Sequence, residues 1–186
     1  MISQRIHIGY LGVLLWILFT SLALQGQSDT LVFIETPFGE MTFKFHEETP
    51  KHKKHFIQLA EEGYWDTLTF NRIIEDFVVQ GGCPDTKEGF QNSPYLLKEE
   101  IHPSNQHVFG ALGAGRDMNP EKQSAYCQFY IVHHLGGVHR LDGDYTIFGQ
   151  LIKGREALIQ LGKVPTDSMD APIKEIPLKV SIIYPE

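Results

Sequence analysis

A chain of 186 residues with a formal charge of −7 has room for one domain with a real hydrophobic core. It lacks the long basic tract of a nucleic-acid binder, since its single basic cluster, Lys51-His52-Lys53-Lys54-His55, reads as a solvated helix face.

At the N-terminus, Arg5 and His7 precede a mostly apolar stretch from Ile8 to Leu24, and no acidic residue appears before Asp29. A basic start, an apolar middle and the small residues of Ser21-Leu22-Ala23 have the layout of a secretory signal. Residues 1–27 are therefore expected to be a signal peptide, with the functional domain over residues 28–186. The apolar run is about 17 residues, the short limit for spanning a bilayer, so an uncleaved N-terminal membrane anchor is the alternative. No cysteine lies near enough for a lipoprotein anchor. Both readings export the domain, to the periplasm or cell envelope.

Thr30 to Thr36 alternates as a strand, Pro37-Phe38-Gly39-Glu40 supplies a turn, and Met41 to Phe45 alternates again, which predicts a hairpin. Thr49-Pro50 opens a helix, Thr49 as cap and Pro50 in the first turn. Phe56 and Leu59 mark its buried stripe and Gly63 its end. Short strands separated by Gly, Pro, Asn and Asp follow from Leu68 to Gly149. A second helix is expected from about Gly154 to Leu161, with Ala157, Leu158 and Leu161 on one side, and a closing strand over Ile176 to Tyr184. Many short strands with two helices favour a closed antiparallel barrel over alternating βαβ units.

Within this pattern, Phe70 to Gly82 is an apolar, strand-like stretch that contains Arg72 and Gln80. A cation there is costly unless it has a task or a partner, and by itself the run would mean a strand whose Arg72 pairs with a core carboxylate. A second segment repeats the design: Cys127-Gln128-Phe129-Tyr130-Ile131-Val132 sets an amide beside aromatics. With Leu141-Asp142-Gly143-Asp144-Tyr145-Thr146-Ile147-Phe148-Gly149, these segments resemble the cyclophilin family of peptidyl-prolyl cis-trans isomerases. The resemblance runs from about Thr30 to Tyr184.

It implies a mainly β fold, a closed eight-stranded antiparallel barrel capped by two α-helices. It also implies acceleration of X–Pro isomerisation during protein folding, with no cofactor, no metal and no covalent intermediate. Arg72 matches the donor to the prolyl nitrogen, while Phe77, Tyr130 and Leu141 match the apolar seat for the proline ring, with Val78 beside them. Gln80 and Gln128 match the polar pair that orients the substrate carbonyl and the arginine. Gly115 and Arg116 match the strand edge whose backbone holds the residue before proline. Arg72, Phe77 and Gln80 are thus the expected catalytic residues. The pattern departs at Arg140, where eukaryotic members often carry tryptophan, and at Tyr145, which replaces a histidine and still covers the proline ring. Arg140 removes an indole and adds a charge, which predicts a changed ligand preference. The implied partners are proline-containing peptides and unfolded exported proteins, bound by a monomer; contact with a membrane is expected only if the N-terminal segment stays uncleaved.

Other signals carry less. Gly113-x-Gly115 lacks the third glycine and the βαβ context of a dinucleotide motif, and no Gly-x-Ser-x-Gly elbow exists. The nine histidines are scattered, without the three convergent ligands of a zinc site. Cys83 and Cys127 have no spacing pattern; an oxidising compartment would let them pair, and the default expectation is two unpaired small core residues. Arg116 to Ser124 is a polar loop, read equally as a site wall or a solvated connection. The rival function is a non-catalytic module that holds proline segments on the same fold. Such a module could lose the arginine, whereas this chain keeps Arg72, Phe77, Gln80 and Gln128 together.

Overall fold

The computed structural model describes residues 30–83, 96–125 and 127–185, so the expected leader lies outside the described residues. β1 (Leu31–Thr36) and β2 (Gly39–Phe45) form the predicted hairpin. α1 (Pro50–Glu61) follows, then β3 (Phe70–Ile73), β4 (Val78–Gly82), β5 (Leu96–Leu97), β6 (Ala111–Ala114), β7 (Ser124–Ala125), β8 (Gln128–Val132), β9 (Ile147–Lys153), α2 (Arg155–Leu161) and β10 (Lys179–Ile183).

Eight strands make one sheet in the order β10-β1-β2-β9-β6-β8-β4-β3, with antiparallel neighbours. The two short strands β5 and β7 pair separately. The ends of the row approach through a bridge between Thr69 and Pro177, flanking β3 and β10. There the N–H of Phe70 donates to the Ile176 carbonyl (3.0 Å) and that of Leu178 to the Leu68 carbonyl (3.2 Å). Closure is therefore approximate. Pro177 has no N–H to continue a ladder, and for that reason the predicted closing strand begins only at Lys179.

The sheet wraps a core in which aromatic rings dominate. Phe56 lies 4.5 Å from Trp65 and 5.3 Å from Phe148 between ring centroids, and Trp65 meets Phe129 edge-on at 5.7 Å. α1 supplies Phe56 and Leu59 to this core, and α2 supplies Ala157, Leu158 and Leu161, as their spacings predict.

Two sequence expectations change on α1. Thr49 does not cap the helix; its hydroxyl donates to the His46 carbonyl instead. Glu100 takes the capping role, accepting from the N–H groups of Lys51 (3.1 Å) and His52 (3.0 Å). A full carboxylate suits this end better than a hydroxyl, because it also opposes the positive pole of the helix. The second change is His52, which is buried rather than part of a solvated face. Its Nδ1–H donates to the same Glu100 at 2.7 Å, and its ring stacks on Phe148.

Candidate active site

The apolar run Phe70–Gly82 is a hairpin of two strands, not one strand. Asp76 turns the chain with φ 51°, a left-handed conformation that a short polar side chain tolerates. Register then decides where the arginine points. Phe70 pairs with Gly81, but Arg72 pairs with Gln80, so the ladder slips at Asn71. Gly81 and Phe70 face the core, where the rings of Phe70 and Phe129 lie on Gly81. In a regular strand Arg72 would share that face with Phe70. The irregularity at Asn71 turns Arg72 to the opposite side, beside Gln80.

The same alternation continues across the sheet. Gln80 pairs with Tyr130, and Tyr130 with Gly113. Arg72, Gln80, Tyr130 and Gly113 thus form one row across β3, β4, β8 and β6, on the outer face of the barrel. Around the row, Val78, Tyr130, Val132, Ala111, Val138 and Ile147 make a second apolar cluster, on which Phe77, Leu141 and Tyr145 pack. All the residues named from the sequence line one open cleft of about 280 Å³: Arg72, Phe77, Val78, Gln80, Gly115, Arg116, Gln128, Tyr130, Leu141 and Tyr145, joined by Arg140. A larger groove of about 770 Å³ lies elsewhere, between Phe38, Val164, Pro165 and Ile173, and none of the site residues named from the sequence lines it.

Each wall has a local cause. Arg72 has Asp170 at 3.5 Å, but both side chains are about two-fifths exposed (39% and 41%), so this is not the core ion pair that an isolated strand would imply. A pair this long and wet is worth at most about 1 kcal/mol and leaves the guanidinium available to the cleft. Gln128 donates through Nε2 to the Cys83 carbonyl at 2.9 Å. Gly115 is fixed by Gln128 in turn: its N–H donates to the Gln128 carbonyl, and a Cβ on it would meet Gln128 Oε1 at 2.1 Å. Since the Gly115 carbonyl also accepts from the Ala125 N–H, Gly115 shapes the edge by what it lacks. Arg116 lays its guanidinium over the Tyr145 ring (4.6 Å), and Arg140 lays its own over Phe77 (4.4 Å).

The sequence reading missed two residues that hold the floor. Tyr130 is buried, and its hydroxyl lies 2.8 Å from His107 Nε2; His107 Nδ1 lies 2.7 Å from Asp142 Oδ1. With Nδ1–H donated to the carboxylate, Nε2 of the neutral ring accepts from the phenol. Asp142 also accepts from the His107 backbone N–H and from His139 Nδ1. Burial lowers the pKa of His107, with Asp142 opposing, and raises that of Tyr130 well above the ordinary phenol range. Burial works against the Asp142 carboxylate too, but the hydrogen bonds from His107 and His139 outweigh it and hold its pKa low. A buried phenol demands a partner, and that was the available signal; His107 sits in a loop whose position no periodicity fixes. Gly113 belongs to the same arrangement, since a Cβ there would meet Tyr130 Cζ at 2.3 Å.

The cysteines are a correction. Cys83 and Cys127 form a disulfide, with Cα atoms 5.4 Å apart. Cys83 follows Gly82 and Cys127 precedes Gln128, and Gly82 pairs with Gln128, so the β4–β8 ladder brings the two thiols together.

A family model for cyclophilin-type peptidyl-prolyl cis-trans isomerases matches residues 31–181. The chain belongs to that family. It is 36% identical over 150 residues to peptidyl-prolyl cis-trans isomerase-like 1 of Neurospora crassa, covering 79% of this chain and 90% of the relative. The human protein of the same name is 31% identical over 157 residues, with 83% and 91% covered. The fold matches a crystal structure of a cyclophilin-type isomerase from Cryptosporidium parvum with a TM-score of 0.75 and 30% identity, covering 86% of this chain and all of that one. The same parasite protein, crystallised in the presence of the dipeptide Ala-Pro, matches with a TM-score of 0.72 and 31% identity, over 84% of this cyclophilin and 99% of that chain. This cyclophilin is thus an isomerase by family, with its cleft on the outer face of the β3-β4-β8-β6 wall.

Proposed function

We propose that this cyclophilin accelerates X–Pro isomerisation in exported polypeptides, with Arg72 as the group that favours the twisted amide. The observation that carries this reading is the row Arg72–Gln80–Tyr130, set in the same cleft as the Phe77 and Tyr145 rings and the Leu141 side chain. A planar prolyl amide resists rotation by roughly 20 kcal/mol because the nitrogen lone pair is delocalised. On twisting, the nitrogen becomes pyramidal and its lone pair localises. A guanidinium aimed there donates to the twisted state and finds no such acceptor in either planar form. Phe77, Tyr130, Leu141 and Val78 seat the proline ring, Gln80 and Gln128 orient the carbonyl and the arginine, and the Arg116 main chain holds the preceding residue. No bond to the enzyme forms, and no proton moves.

Export rests on the N-terminal pattern: Arg5 and His7, the apolar stretch to Leu24, and the small residues at Ser21 and Ala23. The Cys83–Cys127 disulfide supports the same reading, since such bonds persist in oxidising compartments. Among the described residues no helix is long and apolar enough to cross a membrane.

The test is a protease-coupled or NMR-exchange assay of a short Ala-Pro peptide with the purified chain from Ser28 onward, without metal or nucleotide. Accelerated exchange is expected. A folded sample that leaves the rate unchanged overturns the reading. The intact mass of the envelope protein reports export: loss of roughly the first 23 to 27 residues is expected, whereas a full-length mass in the membrane fraction supports the anchor.

A further inference from the structure

The charge of the cleft runs against the charge of the chain. Among the described residues its lining holds three arginines, Arg72, Arg116 and Arg140, and no carboxylate, although the chain carries −7 overall. The carboxylates nearby are engaged: Asp144 pairs with Lys122 at 2.7 Å, and Asp142 is held by His107 and His139. Of the three guanidiniums, only Arg72 has a carboxylate within 4 Å among the described residues, the exposed Asp170. Arg116 donates to the main-chain carbonyls of Asp144 (2.8 Å), Asp117 (2.9 Å) and Asn119 (3.2 Å), which orient it, and the Asp144 carboxylate, paired with Lys122, opposes its charge only in part. Arg140 lies on the Phe77 ring.

The placement of Arg116 and Arg140 matters as much as their number. One lies on Tyr145, expected to cover the proline, and the other on Phe77, proposed to seat it, so each charge adjoins a proline held there. Stacking on Phe77 fixes the Arg140 guanidinium and leaves its in-plane donors free for a planar, bidentate acceptor, whereas Arg116, with Nε and Nη1 spent on carbonyls, offers Nη2 and its charge. A carboxylate on a residue next to proline offers that acceptor, whereas a lysine there meets like charge.

We propose that Arg116 and Arg140 make this cyclophilin selective for X–Pro bonds flanked by acidic residues, Asp or Glu directly before or after the proline. The inference rests on the isomerase reading and names its substrate class. Attraction between partly exposed charges in a cleft raises the encounter rate and falls with salt. A preference for Glu over Lys should therefore be largest at low ionic strength.

The experiment compares isomerisation of tetrapeptides carrying Glu, Ala or Lys before proline, and a second set varied after it, by NMR exchange with the full chain. Expected is a kcat/KM for Glu at least about tenfold above that for Lys in one of the two sets at low salt, shrinking severalfold at 0.5 M salt. Arg140→Gln and Arg116→Gln should each reduce the Glu-to-Lys ratio. Because Arg116 also orders its own loop, thermal unfolding is checked for both variants; Arg140, which is exposed and makes no bond to the backbone among the described contacts, keeps the test independent of folding. Turnover of the Ala peptide with a Glu-to-Lys ratio near one, or a preference for Lys, overturns the inference and leaves the isomerase reading standing. A ratio unmoved by both arginine substitutions also overturns it. No turnover of any peptide overturns both.

Discussion

Arg72 and Phe77 share one cleft but act on different states of the substrate, and this separates a catalyst from a holder of proline segments. Replacing Arg72 by Ala removes the donor for the twisted amide and leaves the apolar seat. Turnover should fall about tenfold to a thousandfold, since one preorganised donor is typically worth a few kcal/mol in the transition state. Ground-state peptide affinity, read by NMR titration, should change far less. Phe77→Ala should weaken both. An Arg72→Ala variant with near-normal turnover shows that the role is misassigned. The Tyr130–His107–Asp142 chain offers a second test at this scale. His107→Ala removes the acceptor that holds the phenol, and KM should rise. In a Tyr130→Phe background the hydroxyl is already gone, so the same change should cost less, with a coupling of roughly 1 kcal/mol or more. Equal losses in both backgrounds mean that His107 is only structural.

At the scale of elements, the hairpin, both helices and the strand content were legible because each rests on local periodicity or turn residues. Three features were not. The split of Phe70–Gly82 into β3 and β4 turns at Asp76 without glycine or proline, so no punctuation marks it. The slip at Asn71 that turns Arg72 outward depends on the register with β4, which one strand alone does not encode. The Cys83–Cys127 bond, across 44 residues, follows from the β4–β8 ladder. The cleft itself was legible through its motifs, whereas His107 and Asp170 come from loops. Glu100 is a further loop residue with an element's task, and it can be tested alone. Glu100→Ala strips the caps from Lys51 and His52 and leaves His52 Nδ1–H buried without its acceptor. A loss of about 2–3 kcal/mol is expected in urea unfolding. A loss below 0.5 kcal/mol, within the scatter of surface changes, means that Glu100 is no cap.

For the whole molecule, the buried histidines make stability depend on pH in one direction. Burial lowers the pKa of His52, with Glu100 opposing, and likewise that of His107, with Asp142 opposing; His46 is lowered by burial as well. His52 shows why: its Nε2 is buried without a hydrogen-bond partner, so protonation there would place an unsatisfied N–H in the core. In the unfolded chain these rings take up protons near 6.5, before the folded chain does. The unfolded state therefore binds more protons below that pH, and stability rises with pH through the interval. It is fully present above about pH 6.5 and is lost as pH falls through the lowered folded values. The carboxylates Glu100 and Asp142 act in the same sense at lower pH. Burial works against both, yet hydrogen bonds from the histidines hold both below the ordinary range, so their contribution is present above about pH 4 and lost beneath it. Thermal unfolding from pH 7.5 down to pH 5 should thus show a steady fall in Tm that begins near 6.5. His52→Gln combined with His107→Gln removes the two most buried rings and should flatten most of the slope over that range, even at a lower Tm. A wild-type Tm that stays level to pH 5, or a slope that survives the double substitution intact, shows that these rings are not what couples folding to pH.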